Sequence, residues 1–303
     1  MNVVFAFSSR FYNAGCIAVF SVFDHNRGSE ELNVSVIYED FTPAQMDSLV
    51  GLAASFKRSL NLISLATIKA AMPKAGYQNW FGSIITYARL FLDIVLPDVN
   101  RILYIDSDTF DNKHLGPLWS FDLQGKTLAA APQDGGVYPF NAGVLLIDLE
   151  RWRSKGYRKI IDSLLLGEKT QFADNDILCK AFANDFRLFP LKSIAVPRWA
   201  ESSYRSFSRS DLPETLTKKE FREWTHSAII VHYNFIGKQT PYHHEDKMTN
   251  FTWSKTYKSL FKTKVVLPNK PSDFPERFAK GFRKIVPHHF YQKLSVWYHK
   301  KRR

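Results

Sequence analysis

The stretch RILYIDSD, residues 101–108, is an apolar run that ends abruptly in two carboxylates. Its first five residues are aliphatic or aromatic apart from Arg101, which predicts a short buried strand. In open α/β sheets ligands bind beyond the carboxyl ends of the strands, and Asp106-Ser107-Asp108 would lie there. The stretch therefore predicts a strand that delivers acidic groups to one edge of a sheet.

Similar apolar runs lie on both sides of this stretch and alternate with helical patterns. Strands are predicted at residues 2–7, 32–38, 61–65, 128–131, 144–147 and 228–233, and helices at residues 14–23, 43–58, 84–96, 151–166 and 174–183. Thr42 followed by Pro43 is typical of a helix start, and Pro97 is expected to end the helix predicted at residues 84–96. This alternation predicts an α/β fold with a mostly parallel sheet.

The composition fits a folded protein with a basic C-terminal end. Of 303 residues, 45% are apolar and 15% aromatic, which excludes an intrinsically disordered chain. The length fits one large domain, or one domain with an appendage. The net charge is +12, and residues 277–303 contribute nine basic and no acidic residues to it. The remainder of the chain is close to neutral.

The cysteines and the hydropathy pattern bear on location. Cys16 and Cys179 are too few for a disulfide framework and fit a reducing cytoplasm. No apolar run approaches the roughly 18–20 residues that cross a bilayer. Met1-Asn2 carries no basic side chain and Arg10 interrupts the first apolar run, so a signal peptide is not expected.

Two segments together suggest a metal site. Asp106 and Asp108, one residue apart, can both face a divalent cation that neutralises a diphosphate leaving group. His232 ends another predicted strand, and an imidazole beside two carboxylates suits manganese better than an all-oxygen site. Gly237 and Lys238 follow, a pair that suits close approach to a phosphate. The alternatives are a solvated turn for the aspartates and a core position for the histidine.

Two further motifs have polar groups that could surround a sugar. Asp174-Asn175-Asp176 opens a predicted helix with more polar groups than capping requires, although Asp and Asn are also ordinary N-caps. Asn141-Ala142-Gly143 precedes the predicted strand at residues 144–147. Small residues with one amide suit a wall against a sugar ring, and a plain turn is the alternative.

Taken together, these residues resemble the retaining glycosyltransferases of family 8, which have a GT-A fold. The most similar subgroup is the bacterial lipopolysaccharide galactosyl- and glucosyltransferases. The stretches that carry the match lie in family order: the opening strand and turn to Tyr12, residues 86–90, 102–108, 140–146 and 174–178, and His232-Tyr233. Their joint occurrence over about residues 1–250 makes the resemblance specific.

The resemblance implies roles at the metal and the nucleotide. Asp106, Asp108 and His232 would bind manganese, with magnesium as the alternative, against the UDP phosphates. The nucleotide would be lined by Ala6, Phe7, Ser8 and Tyr12, with Tyr12 stacking on uracil and Ser107 beside the ribose. Gly237 and Lys238 would touch the diphosphate.

The resemblance also implies roles around the donor sugar. The residues expected there are Arg89, Asp134, Asn141, Ala142, Asp174 and Asp176. Asn175 falls where the family places a side-chain amide on the β-face of the anomeric carbon. Because an amide is a poor nucleophile, front-face attack is favoured over a covalent route through Asp174 or Asp176.

The chain departs from the family pattern in two places. The family often has an acidic residue in the first turn, where this chain has Ser8. Family members commonly read Gly, two residues, then Lys-Pro-Trp after the histidine. Here the segment is Gly237-Lys-Gln-Thr-Pro-Tyr242, with the lysine earlier. Contact of Lys238 with the diphosphate is therefore in question.

The expected enzyme is a hexosyltransferase that moves galactose or glucose from a UDP-sugar to a surface glycan, such as lipopolysaccharide or lipooligosaccharide core. Residues 1–255 would form the catalytic domain, and residues 256–303 a basic, aromatic region that binds the inner leaflet. The protein would be cytoplasmic and peripherally attached to the membrane, with no specific nucleic acid partner. The oligomeric state, the hexose, the linkage and the acceptor stay open.

Two other classes of function are compatible with parts of the sequence. A strand followed by Asp106-Ser107-Asp108 also resembles the nucleophile motif of haloacid dehalogenase-type phosphatases, which normally follows the first strand rather than about the fourth. The positive charge alone would suit a non-catalytic nucleic-acid-binding protein. The near-neutral body and the absence of a recognised nucleic-acid module disfavour it.

Overall fold

The computed structural model describes residues 1–74, 77, 83–133, 138–167, 173–196, 203–233, 253, 255–256 and 258–261. The strands are β1 Asn2–Ser8, β2 Asn33–Glu39, β3 Leu60–Ser64, β4 Arg101–Ile105, β5 Thr109–Asp111, β6 Leu128–Pro132, β7 Phe140–Asp148, β8 Phe186–Leu188, β9 Ile194–Ala195 and β10 Ile230–His232. The α-helices are α1 Tyr12–His25, α2 Pro43–Ser55, α3 Leu65–Lys69, α4 Leu92–Val95, α5 Gly116–Trp119, α6 Leu149–Ser154, α7 Tyr157–Gly167, α8 Asp174–Ala181, α9 Tyr204–Phe207 and α10 Lys218–Ser227.

Seven strands form the central sheet in the order β3-β2-β1-β4-β7-β6-β8. The pairs β1–β2, β2–β3, β1–β4 and β6–β8 are parallel, whereas β7 runs antiparallel to both β4 and β6. The predicted α/β architecture with a mostly parallel, mixed sheet is confirmed. The single reversed strand brings the beginning of β7 beside the end of β4.

Helices cover both faces of this sheet, and alternate strand residues face each layer. One core joins α3, α4, α6, α7 and α8 to sheet residues such as Tyr104 and Leu145. The other joins α1 and α2 to residues such as Phe5 and Leu103. This is the two-sided burial that apolar strands of an α/β sheet require.

A second sheet has three strands, in the order β5-β10-β9. A third core, which includes Trp224 of α10 and Val231 of β10, packs against it. Because β5 begins directly after Asp108, this small sheet lies next to the end of β4.

Helix α2 begins at Pro43 as expected, and Thr42 and Gln45 form a reciprocal capping box at its start.

Three sequence-based expectations need correction. The strand predicted at residues 144–147 begins earlier, at Phe140, so Asn141-Ala142-Gly143 is part of β7 and not the plain turn that was the alternative. The helix predicted at residues 151–166 is interrupted at Gly156, whose φ of +69° ends α6 before α7 begins. The helix predicted at residues 84–96 is a 3₁₀ segment, Ile85–Phe91, followed by the short α4.

No helix within the described ranges has both the length and the apolar character needed to cross a bilayer. Cys16 and Cys179 are both buried free thiols.

Candidate functional site

Three predicted metal ligands converge at the carboxyl end of β4. Asp106, Asp108 and His232 each offer a ligand atom, and these atoms all lie within 4.8 Å of one another. His232 Nε2 is 3.3 Å from Asp108 Oδ1 and 3.8 Å from Asp106 Oδ2. Two carboxylates and one imidazole form a mixed oxygen–nitrogen donor set that fits a divalent transition metal such as manganese.

The register of the small sheet explains why His232 lies here. β10 pairs antiparallel with β5, so that His232 is opposite Thr109, the residue after Asp108. The backbone amide of Tyr233 donates to the carbonyl of Asp108 at 2.9 Å. Residues separated by more than a hundred positions are thus fixed side by side by backbone hydrogen bonds.

Gly143 in β7 provides the space for this cluster. The amide of Asp106 donates to the carbonyl of Gly143 at 2.8 Å, which holds the two backbones together. A Cβ at Gly143 would lie 2.7 Å from His232 Nε2 and 2.8 Å from Asp106 Oδ2. Any larger residue would therefore displace a ligand.

Arg89 connects the metal ligands to the start of α8. Its guanidinium lies 2.7 Å from Asp106 Oδ1 and 2.9 Å from Asp174 Oδ2, and it donates to the carbonyl of Ala142 at 2.6 Å. The Tyr104 ring lies beneath it, 4.6 Å from the guanidinium carbon, and the Tyr104 hydroxyl donates to Asp106. Arg89 is itself buried, so it is one part of a fixed ionic network.

Burial and neighbouring charges shift the pKa values of this network. Burial raises the pKa of Asp174 to about 6, although the Arg89 guanidinium opposes that rise. Burial also raises the pKa of Asp106, against the effect of Arg89. Burial by itself would lower the pKa of His232, but the carboxylates of Asp108 and Asp106 raise it above its ordinary value. Such opposed shifts are typical of functional sites.

The polar residues that open α8 face β7. Asn175 Oδ1 accepts a hydrogen bond from the amide of Ala142 at 2.9 Å, and the Asn175 amide nitrogen lies 3.6 Å from Cys179 Sγ. Asp176 is buried and hydrogen-bonded to Tyr138. Ala173 precedes the helix with φ 49° and ψ −116°, a strained geometry for a residue with a Cβ.

Asn141, expected beside the donor sugar, has both polar atoms of its side chain in hydrogen bonds. Its Oδ1 accepts from the amide of Gly143 at 2.8 Å, and its amide nitrogen donates to Gln133 at 3.2 Å. Asn141 is half-buried, whereas Ala142 is buried. The structure thus brings Arg89, Asn141, Ala142 and the Asp174–Asp176 segment to the same edge as the metal ligands.

The predicted nucleotide residues lie at the end of β1. Ala6, Phe7 and Ser8 are buried there, beside the end of β2 in parallel register. Tyr12 is also buried; its hydroxyl donates to the carbonyl of Gln45 at 2.7 Å and its ring packs edge-on against Phe41 at 5.3 Å. Ser107 is half-buried between the two aspartates. Stacking of Tyr12 on uracil stays a prediction.

Other expectations lie outside the described residues. These are Asp134, Gly237 and Lys238, together with the basic segment at residues 277–303.

Two residues of the site, Tyr104 and Tyr138, had no role assigned from sequence, and Gly143 was expected only as one of the small residues of a wall against the sugar. A glycine inside a buried apolar run is a signal for close backbone approach, which fits Gly143. Tyr104 precedes Asp106 by two positions and so shares its face of the strand. Tyr138 carries no local signal, since its partner Asp176 is distant in sequence.

Comparison with known proteins shows which proteins the chain is similar to. The family model described as glycosyl transferase family 8 matches residues 2–245. Glycosyltransferase GlyD of Streptococcus pneumoniae is 43% identical over 84 residues, which cover 26% of this chain and 10% of GlyD. General stress protein A of Bacillus subtilis is 25% identical over 178 residues, covering 53% of this chain and 60% of that protein. The chain therefore spans less than two thirds of either relative.

A solved structure supports the fold. The galactosyltransferase LgtC, in complex with donor and acceptor sugar analogues, superposes with a TM-score of 0.65 at 24% identity. The superposition covers 89% of this chain and 98% of the LgtC chain. The fold is therefore the GT-A fold, as the sequence predicted.

Proposed function

The chain belongs to glycosyltransferase family 8, and on that premise we propose that it moves galactose or glucose from a UDP-sugar to a surface glycan. The acceptor would be a lipopolysaccharide or lipooligosaccharide core, and the anomeric configuration would be retained. The observation that carries the proposal is the convergence of Asp106, Asp108 and His232 at the edge where Arg89 and Asp174 also lie.

The residues present fit a manganese ion. Asp106, Asp108 and His232 would hold it, and Gly143 leaves the room these side chains need. When bound, such an ion neutralises the charge on a diphosphate and makes it a better leaving group. Arg89 orients Asp106 through a 2.7 Å ion pair, so that the carboxylate is positioned before the donor arrives.

A front-face mechanism fits the groups around the sugar. Asn175 is held by the amide of Ala142, and its carbonyl oxygen would stabilise positive charge at the anomeric carbon. Asp174 is engaged with Arg89 at 2.9 Å and Asp176 with Tyr138, so each carboxylate already has a partner. Mass-spectrometric detection of a glycosylated Asp174 or Asp176 would show a covalent route instead.

The proposal extends to location. The protein would act at the inner face of the cytoplasmic membrane, where lipid-linked glycans are built, with the basic region at residues 256–303 as its anchor. Aromatic residues settle at the headgroup level, and cations favour an anionic surface.

The test is a panel of UDP- and GDP-hexoses assayed for hydrolysis and transfer with manganese. We expect turnover of UDP-galactose or UDP-glucose, and loss of activity by about 100-fold or more in Asp108→Ala, since one removed charge-stabilising group costs that much. Asp47→Ala, an exposed carboxylate of α2, is the matched control and should be unaffected.

Circular dichroism should show Asp108→Ala folded. Near-normal turnover of that variant in chelating buffer would overturn the metal role. Hydrolysis of phosphomonoesters without any turnover of nucleotide sugars would favour the alternative function, a haloacid dehalogenase-type phosphatase.

A further inference from the structure

The small sheet of β5, β10 and β9 has a hydrophobic core of its own. Apart from Ile17 and Phe110, every buried residue that the structure describes in this third core lies between residues 191 and 253. Parts of a protein that form such cooperative units open locally, at a lower free energy than global unfolding. The small sheet together with α10, which we name the small-sheet unit, is therefore a part of the molecule that can open by itself.

The contact of this unit with α1 contains a carboxyl group that lacks a hydrogen-bond partner. Asp111 of β5 is fully buried, and neither of its side-chain oxygens has a partner among the described residues. Asp111 is directly opposite Ile230, which packs in the second core with α1, and directly opposite residues share a face of a strand pair. Burial raises the pKa of Asp111 well above its ordinary value, and no neighbouring charge opposes that rise. A buried polar group without a partner weakens the contact that buries it.

The hydroxyl group of Ser21 on α1 does not satisfy this carboxyl. Its oxygen accepts a hydrogen bond from the backbone amide of Asp111 at 3.0 Å, and its hydrogen is donated to the carbonyl of Ala18 at 2.8 Å. Nδ1 of His232 is a further buried atom without a partner. Of the seven such side-chain atoms in the described part of the chain, three thus lie in β5 and β10. Unsatisfied polar groups are therefore concentrated in the small-sheet unit.

The predicted metal ligands come from both sides of this contact. Asp106 is fixed to the central sheet, because its backbone amide donates to the carbonyl of Gly143 in β7 at 2.8 Å. His232 belongs to β10, in the small-sheet unit. Asp108 lies between them, and its carbonyl accepts a hydrogen bond from the amide of Tyr233 at 2.9 Å. A cation held by Asp106, Asp108 and His232 would therefore join the small-sheet unit to the central sheet.

We propose that the small-sheet unit opens and closes on the central sheet, that Asp111 makes this opening easier, and that a divalent cation at Asp106, Asp108 and His232 holds the unit closed. A ligand that binds only the closed state stabilises it by mass action. The inference rests on the proposed function in its last part alone, the metal site. Its first two parts concern the metal-free chain.

The first experiment is hydrogen–deuterium exchange of the full native chain in chelating buffer. β10 and β4 are both inner strands of their sheets and both are largely buried, so they form a matched pair. We expect protection factors at residues 230–232 to be about tenfold or more below those at residues 101–105, as for local compared with global opening. Equal protection of the two strands overturns the proposal, and this measurement requires no variant.

The second experiment tests the part of Asp111. Asp111→Val and Asp111→Thr give side chains of the same shape, but threonine keeps a hydroxyl group that needs a partner. We expect exchange of β10 in Asp111→Val to be about tenfold slower than in Asp111→Thr, because the valine leaves no polar group unsatisfied. Equal exchange in the two variants would show that the unpartnered carboxyl does not govern the opening.

The third experiment adds manganese alone. At a concentration 100 times the Kd measured by calorimetry, exchange of β10 should slow by about 100-fold. Asp108→Ala, which lacks one ligand, should show little slowing, and unchanged exchange in the native chain overturns the closing role of the cation. UDP-sugar hydrolysis is measured in parallel. Its absence from a chain whose exchange does slow with manganese would contradict the proposed function and support the present inference.

Discussion

At the scale of single residues, Gly143 has no side chain, and the side chains of His232 and Asp106 occupy the space that one would fill. Added atoms there would lie within 3 Å of ligand atoms, at 2.7 Å from His232 Nε2 and 2.8 Å from Asp106 Oδ2. We therefore expect Gly143→Ala to weaken manganese binding by about tenfold or more, as removal of ligand support commonly does. Isothermal titration calorimetry with manganese alone measures this directly.

A second glycine serves as the control for that substitution. Gly51 lies in α2, and a Cβ built there meets nothing within 4 Å. Gly51→Ala should keep the metal affinity and raise the free energy of unfolding by about 0.5–1 kcal/mol, since alanine is the better helix former. Native manganese affinity in Gly143→Ala would show that the ligands do not depend on this close approach.

At the scale of elements, Asp185 ties three segments together at the sheet edge opposite the site. Its carboxylate accepts hydrogen bonds from Lys155, between α6 and α7, at 2.8 Å and from Tyr157, the first residue of α7, at 2.6 Å. It also accepts one from the hydroxyl of Thr127, just before β6. Burial by itself would raise the pKa of Asp185, but these donors lower it below its ordinary value.

The sign of this pKa shift gives a pH dependence for stability. Because the pKa of Asp185 is lowered in the folded state, its stabilisation is complete above the unfolded pKa of about 4 and is lost as pH falls below it. We expect Asp185→Asn to lower the free energy of unfolding by about 1–3 kcal/mol at pH 7. The difference from the native chain should shrink at acid pH.

Urea unfolding at a series of pH values provides the measurement. Asp98→Asn, which changes an exposed carboxylate, is the control and should leave the free energy of unfolding nearly unchanged. A difference between Asp185→Asn and the native chain that is the same at all pH values would contradict the role of ionised Asp185.

At the scale of the whole molecule, the charge is unevenly distributed. Nine basic residues and no acidic ones lie at residues 277–303, interleaved with Phe278, Phe282, Phe290, Tyr291, Trp297 and Tyr298. Each cation near an anionic surface contributes about 1 kcal/mol. We expect a chain that ends at Asn269 to lose most of its co-sedimentation with anionic vesicles while it keeps UDP-sugar hydrolysis.

The salt dependence tests whether the contribution of residues 277–303 is electrostatic. High salt screens exposed charges, so it should release the full chain from vesicles toward the level of the truncated one. If full and truncated chains sediment equally at low salt, the C-terminal region is not the anchor.

The sequence by itself determined the local elements and the chemistry available to them. Short apolar runs that alternate with helical patterns, and helix starts such as Thr42-Pro43, predicted the α/β class, because burial and capping act over a few residues. Asp106-Ser107-Asp108 at the end of an apolar run was enough to predict an acidic edge, and the spacing of Asp174-Asn175-Asp176 placed polar groups at the start of α8.

Only the tertiary structure decided which of these groups meet. The antiparallel direction of β7 puts Gly143 beside Asp106, and the pairing of β5 with β10 puts His232 beside Asp108. Likewise, Arg89 joins Asp106 to Asp174 through contacts that no local pattern encodes. The physical reason is that strand direction and register are set by hydrogen bonds and packing between distant segments, whereas residue patterns report only on each segment alone.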